Sequence, residues 1–209
     1  MQAQQATPPT RDAALQEDHR VVLHGVPWEV YEQLVQARGE SAVPRISYCE
    51  GVLELMSPST HHERIKTMLA RLLELYALAR GIDLYGIGSW TLRKKLEQRG
   101  LEPDECYSLG IELPEVRPDL AIEVVWTSGG IRKLDIYRKL EVPEVWIWQD
   151  GTIAVHGLRG AQYIELPRSE LLPGFDIEHA LPYLTRTDQP VAIREYWAWL
   201  QQQSAQSPG

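Results

Sequence analysis

The run "DLAIEVVW" at residues 119–126 constrains the fold more than any other stretch of this chain. It reads as a strand with Leu120, Ile122, Val124 and Trp126 on one face and Asp119, Ala121, Glu123 and Val125 on the other. A helical stretch follows, "GGIRKLDIYRKLEV", and then a hairpin, "PEVWIWQDGTIAVHGL", whose Asp150-Gly151 pair suits a tight primed turn. Burying an ionised carboxylate among apolar residues is costly unless it is paired or bound to a metal, so Glu123 requires a partner.

The rest of the chain supplies the surrounding elements. "VPWEVYEQLVQARG" has a helical pattern with Trp28, Tyr31, Leu34 and Val35 on one face and a glycine stop. "RISYCEGVLELM" reads as a hairpin around Glu50-Gly51, with Glu54 on the opposite face from Leu53 and Leu55. Ile65, Leu69, Leu72 and Tyr76 recur at helical spacing over residues 60–80, and Thr60 with Glu63 has the form of a capping box. "IDLYGIGSWTLR" and "DECYSLG" read as strands. The order of hairpin, helix, three strands, helix and two strands gives an α/β class with a mixed central sheet flanked by helices, preceded by an N-terminal helix and hairpin. At 209 residues the chain fits one domain, residues 21–200, between a flexible N-terminal segment (1–20) and a flexible C-terminal tail (201–209).

Asp119 does not meet the need of Glu123. The two are separated by about 13 Å of strand and cannot share an ion. Asp104 is better placed, because "DECYSLG" and "DLAIEV" are joined by the turn-like "IELPEVRP". An antiparallel register that matches Leu109 with Pro118 sets Asp104 opposite Glu123. Cβ atoms of opposed residues lie about 5 Å apart, close enough for two carboxylates to hold one hard cation, magnesium or manganese. Lys133 shares a helix face with Ile136, Tyr137 and Leu140, the face that meets the sheet. Its amine either reaches the carboxylates or snorkels from the edge of the apolar face.

Four segments then carry a family resemblance: "EGVLELMSPSTHHERI", "EPDECYSLG", "RPDLAIEVVWTS" and "RKLDIYRKLEVPEVWIW". In order and spacing they resemble the Uma-two family of putative restriction endonucleases, within the PD-(D/E)xK nuclease superfamily. The resemblance implies a divalent-metal-dependent phosphodiesterase with a restriction-endonuclease-like αβββαβ core and DNA as substrate. It makes Asp104 and Glu123 the metal carboxylates. Val125 stands where the superfamily pattern has its lysine, and Lys133 on the following helix supplies the amine instead. His62 aligns with a histidine of the family, as a supporting residue at the site or as a buried structural one. Glu54 is a further candidate ligand if its face turns into the cleft, and Asp119 is kept as a residue at the cleft rim.

Composition bounds these readings. With 44% apolar and 24% charged residues the chain is of ordinary globular type, and no apolar run approaches a membrane span. Cys49 and Cys106 form no CxxC pair, and the first residues lack the apolar core of a signal peptide, so a reducing cytoplasmic setting is expected. A net charge of -8 argues against a broad phosphate-binding footprint. The best basic cluster is Arg93, Lys94, Lys95 and Arg99, which reads first as a solvated face. Two other functions stand beside the nuclease: a degenerate nuclease-fold module that binds nucleic acid or protein, and a glycosidase using two carboxylates with aromatic walls. A two-fold homodimer would let a nuclease address both strands.

Overall fold

Hydrophobic spacing and turn chemistry divide the chain into the following elements in the computed structural model, which describes residues 17–110, 116–126 and 130–206. β1 (His19–Leu23) and α1 (Trp28–Arg38) lead into β2 (Arg45–Cys49), β3 (Val52–Ser57) and α2 (Thr60–Arg80). Three short strands, β4 (Leu84–Gly86), β5 (Leu92–Lys94) and β6 (Arg99–Leu101), precede β7 (Glu105–Leu109) and β8 (Leu120–Val125). Then come α3 (Lys133–Leu140), β9 (Glu144–Gln149), β10 (Thr152–Arg159), β11 (Gln162–Leu166), α4 (Ile177–Leu184) and α5 (Gln189–Gln206).

The central sheet has the strand order β11-β10-β9-β8-β7-β4 and is mixed: β8 and β9 are parallel, while β8 and β7 are antiparallel. Its αβββαβ core is α2, β4, β7, β8, α3 and β9. The N-terminal hairpin does not extend this sheet. It builds a second, five-stranded one in the order β1-β3-β2-β6-β5. The stretch "IDLYGIGSWTLR" accordingly supplies two strands rather than one, because the backbone turns at Gly88 with φ +72°, so that β4 and β5 enter different sheets.

Alternation along β8 sorts the core. Leu120, Ile122 and Val124 pack with Met68, Leu69, Leu72 and Leu73 of α2, where each fully buried apolar side chain contributes about 1.5–3 kcal/mol. Ala121, on the other face, packs with Ile136, Tyr137 and Leu140 of α3, and α3 in turn meets Leu92 and Leu101 of the second sheet. Glu123 therefore points into the seam between α3 and the two sheets. Both hairpin turns carry the backbone expected of them: Glu50 and Gly51 at φ 44° and 86°, Asp150 and Gly151 at φ 50° and 80°.

Three local readings change. Ser59, not Thr60, caps α2, its hydroxyl accepting from the His62 N–H, while Glu63 is drawn into ion pairs with Arg45 (3.0 Å) and Lys66 (2.7 Å). Asp18 is buried and His19 begins β1, so the described part of the expected lead-in belongs to the fold. At the other end α5 runs to Gln206, into the expected tail. Among the described residues no helix is long and apolar enough to cross a membrane.

Candidate active site

The β7–β8 pairing sets Glu105 against Ile122, Cys106 against Ala121 and Tyr107 against Leu120, the register that brings Asp104 level with Glu123. Asp104 lies just ahead of β7, and its Oδ2 accepts from the Val124 N–H at 2.6 Å, which fixes the carboxylate against the middle of β8. Both acids are out of contact with solvent, at 1% and 0% exposure.

Their surroundings differ. On the Asp104 side, Arg45 at the start of β2 pairs with Oδ1 and bridges to Glu63. His62 Nε2 is 3.0 Å from the same oxygen, and His62 Nδ1 is 3.1 Å from Asp18 Oδ2. The other oxygen of Asp18 accepts from the Ser59 N–H at 2.8 Å, so Asp18, just ahead of β1, ties the imidazole to the N-cap of α2. Burial alone would raise the Asp104 pKa, but Arg45, then His62 and Lys133, hold it well below the usual carboxylate range. Burial opposes charge on His62 too, yet Asp104 and Asp18 carry its pKa up to about 9, so the ring is a cation at neutral pH.

On the Glu123 side, Lys133 Nζ lies 2.5 Å from Oε2 and the Tyr137 hydroxyl donates to Oε1. Lys133 and Tyr137 are one helical turn apart at the start of α3, so one helix face delivers both groups. Burial pushes Glu123 up to about 7, assisted by the charge on Asp104 and opposed by Lys133. Lys133 keeps its proton, because Glu123 and Asp104 outweigh the effect of burial and raise its pKa.

The segment leading into α3 is positioned by Glu54. This carboxylate, 2% exposed, accepts from the Ile131 N–H at 3.1 Å and pairs with Arg20 at 3.4 Å. Gly130 sits against it at φ +105°, where an added Cβ would fall 2.0 Å from Glu54 Oε2, so only glycine permits this approach. Glu54 thus shares a cavity with Glu123 and Lys133 but spends one oxygen on the backbone that presents the lysine.

The donor chemistry suits a hard divalent cation. Each carboxylate oxygen has two acceptor directions. Asp104 Oδ2 is given one donor here, as is each oxygen of Glu123, which leaves acceptor capacity on both acids. Among the described residues no group of three or more His, Cys, Asp or Glu side chains is placed to hold a metal ion. A cation here would rest on Asp104 and Glu123, with waters and substrate oxygens completing its shell.

Of the residues named from the sequence, Asp104, Glu123, Lys133 and His62 come together, and Glu54 lines the same cavity. Asp119 does not join them: its Oδ2 accepts from the Leu109 N–H (2.9 Å) and the Ser108 hydroxyl (3.1 Å), tying off the end of β7. The sequence reading missed Arg45 and Asp18, which meet the cluster only through tertiary contacts, and it took Tyr137 only as a packing residue. Tyr137 was within reach of sequence reasoning, since it falls four residues after Lys133 on the same face. The basic cluster is largely matched by acids: Lys94 with Glu141, Lys95 with Glu32, and Arg99 with Glu50.

The model of the family described as "Uma2: Putative restriction endonuclease" matches residues 28–189. A crystal structure of a putative nuclease belonging to DUF820 from Anabaena variabilis ATCC 29413 is similar at 14% identity, over 81% of this chain and 98% of that one, with a TM-score of 0.45. No curated protein matches the chain.

Proposed function

The chain belongs to the Uma2 family of putative restriction endonucleases, and on that premise we propose that it is a metal-dependent endonuclease hydrolysing phosphodiester bonds of DNA at Asp104, Glu123 and Lys133. One observation carries the reading: two buried carboxylates, one on β8 and one just ahead of β7, brought level by the β7–β8 register, with a lysine amine 2.5 Å from one of them. Bound magnesium or manganese would polarise a phosphoryl oxygen and lower the pKa of an attacking water.

The chain's own groups divide the remaining work. Arg45 and His62 keep Asp104 ionised, and Asp18 orients His62 through its Nδ1. Tyr137 fixes the rotamer of Glu123. Lys133, whose ammonium lies beside Glu123, would offer that charge to the phosphoryl oxygens as negative charge develops on them. Placing that lysine on α3 leaves Val125 at the position on β8 where the superfamily has its amine, so the helix replaces the strand as its source.

Two observations favour a second reading, an interaction module that keeps the fold without cleavage: Val125 itself and the acid partners of the basic cluster. A glycosidase is disfavoured, because Trp28, Trp146 and Trp148 are buried in the core and no tryptophan lines the cavity beside Glu123. The test is magnesium-dependent cleavage of DNA by the purified chain and by Glu123→Ala. Loss of cleavage with an unchanged circular-dichroism spectrum is expected. Cleavage by the variant at the native rate would overturn the assignment, and a native chain that binds DNA without cutting it would favour the module.

A further inference from the structure

Beside the two carboxylates lies a cavity of about 310 Å³. Its floor is the face of β8 and β9 that carries Glu123, where the parallel register sets Glu123 against Ile147 and Val125 against Gln149. Ile131 and Leu134, flanking Lys133, form one wall. A phosphate held at Glu123 and Lys133 is served by charge and hydrogen-bond donors and has no use for an apolar chamber. The group covalently attached to that phosphate does. A nucleobase has two apolar faces, which Val125, Ile131, Leu134 and Ile147 match, and a polar edge, which the Gln149 amide can meet as donor and acceptor.

A perfect duplex can fill this chamber only by extruding a base, at an unstacking cost that a base already unpaired does not bear. Nor do Lys94, Lys95 and Arg99 offer it an unopposed stripe of cations, since each has an acidic partner. Resting on the nuclease reading above, we propose that the cavity receives one unpaired nucleotide, its phosphate at Lys133 and its base against Ile147, so that the substrate is single-stranded or locally unpaired nucleic acid.

The test is fluorescence anisotropy with calcium in place of magnesium, which keeps a hard cation at the site while the labelled strand stays intact. The probes are a thymidine oligonucleotide, a perfect duplex, a duplex with one bulged thymidine, and the same bulge with its base removed. Thymidine monophosphate and deoxyribose phosphate serve as competitors, to separate a free nucleotide from one within a strand. The single strand and the bulge are expected to bind at least about tenfold more tightly than the perfect duplex, and the baseless bulge to lose that advantage. Ile147→Trp, which fills the floor, should abolish the preference while calcium binding persists. If that variant fails to fold, the baseless bulge poses the same question to the native chain.

Equal binding of bulge and duplex, an undiminished baseless bulge, or no binding to any probe would overturn the proposal. Magnesium-dependent cleavage without this preference would sink the pocket and leave the nuclease standing. The preference without cleavage would do the reverse.

Discussion

Glu123 of β8 and Glu144 of β9 sit on neighbouring parallel strands and are buried alike, at 0% and 2% exposure, yet they are held in opposite ways. Glu144 accepts from the Trp146 Nε1–H (2.6 Å), the Ser169 hydroxyl (2.5 Å), the Glu170 N–H (2.9 Å) and, more weakly, the Leu171 N–H (3.4 Å). Its acceptor capacity is consumed by neutral donors, and it pins the segment after β11 to the sheet. Glu123 has two donors, one of them charged, faces a second carboxylate and borders a cavity. Burial of an acid is therefore no sign of chemistry by itself. What distinguishes a site is spare acceptor capacity beside charge and space.

Exchanging the roles of the two acids gives the largest contrast. Glu123→Ala should lose magnesium-dependent cleavage while keeping the fold. Glu144→Ala should retain cleavage per folded molecule but lose about 3 kcal/mol or more of stability in urea denaturation, because it leaves several buried donors unsatisfied. Similar stability losses in both variants would erase the distinction. Next in size, Lys133→Met should lower kcat by about 10²–10³-fold with magnesium affinity retained, the range for removing one preorganised donor to a transition state. A change confined to KM would instead make Lys133 a binding residue.

The smallest effect concerns His62. Its pKa is raised on folding from 6.5 to about 9, so its contribution to stability is complete below pH 6.5 and is lost as pH rises through 9. That contribution is on the order of 3 kcal/mol at most. In the metal-free protein, urea midpoints should fall across this window for the native chain and more shallowly for His62→Gln. Parallel slopes would show that the ring carries no charge in the fold.

Much of the site was legible because it rests on short-range rules. The spacing between "DECYSLG" and "DLAIEV" and the alternation of β8 give the register that brings Asp104 level with Glu123, while residues 111–115 of the expected turn lie outside the described residues. The helical period of α3 placed Lys133 on the inward face. α2 was readable over Thr60–Arg80 from its own spacing. Arg45 and Asp18 escaped for the opposite reason: Arg45 reaches Asp104 across 59 residues and Asp18 reaches His62 across 44, and neither arginine at a strand start nor aspartate ahead of a strand announces its partner. The division into two sheets was hidden likewise, since β5 and β6 are three residues each, β6 taking its place from pairing with β2 and β5 from pairing with β6.

Asp104 and Glu123 are proposed to hold a divalent cation together, and calorimetric titration of magnesium into the native chain and into Asp104→Asn measures whether they do. Saturable binding by the native chain and its loss in the variant, with thermal unfolding still cooperative in both, is the expected result. Absence of binding to the native chain, or equal binding by the two proteins, would contradict it.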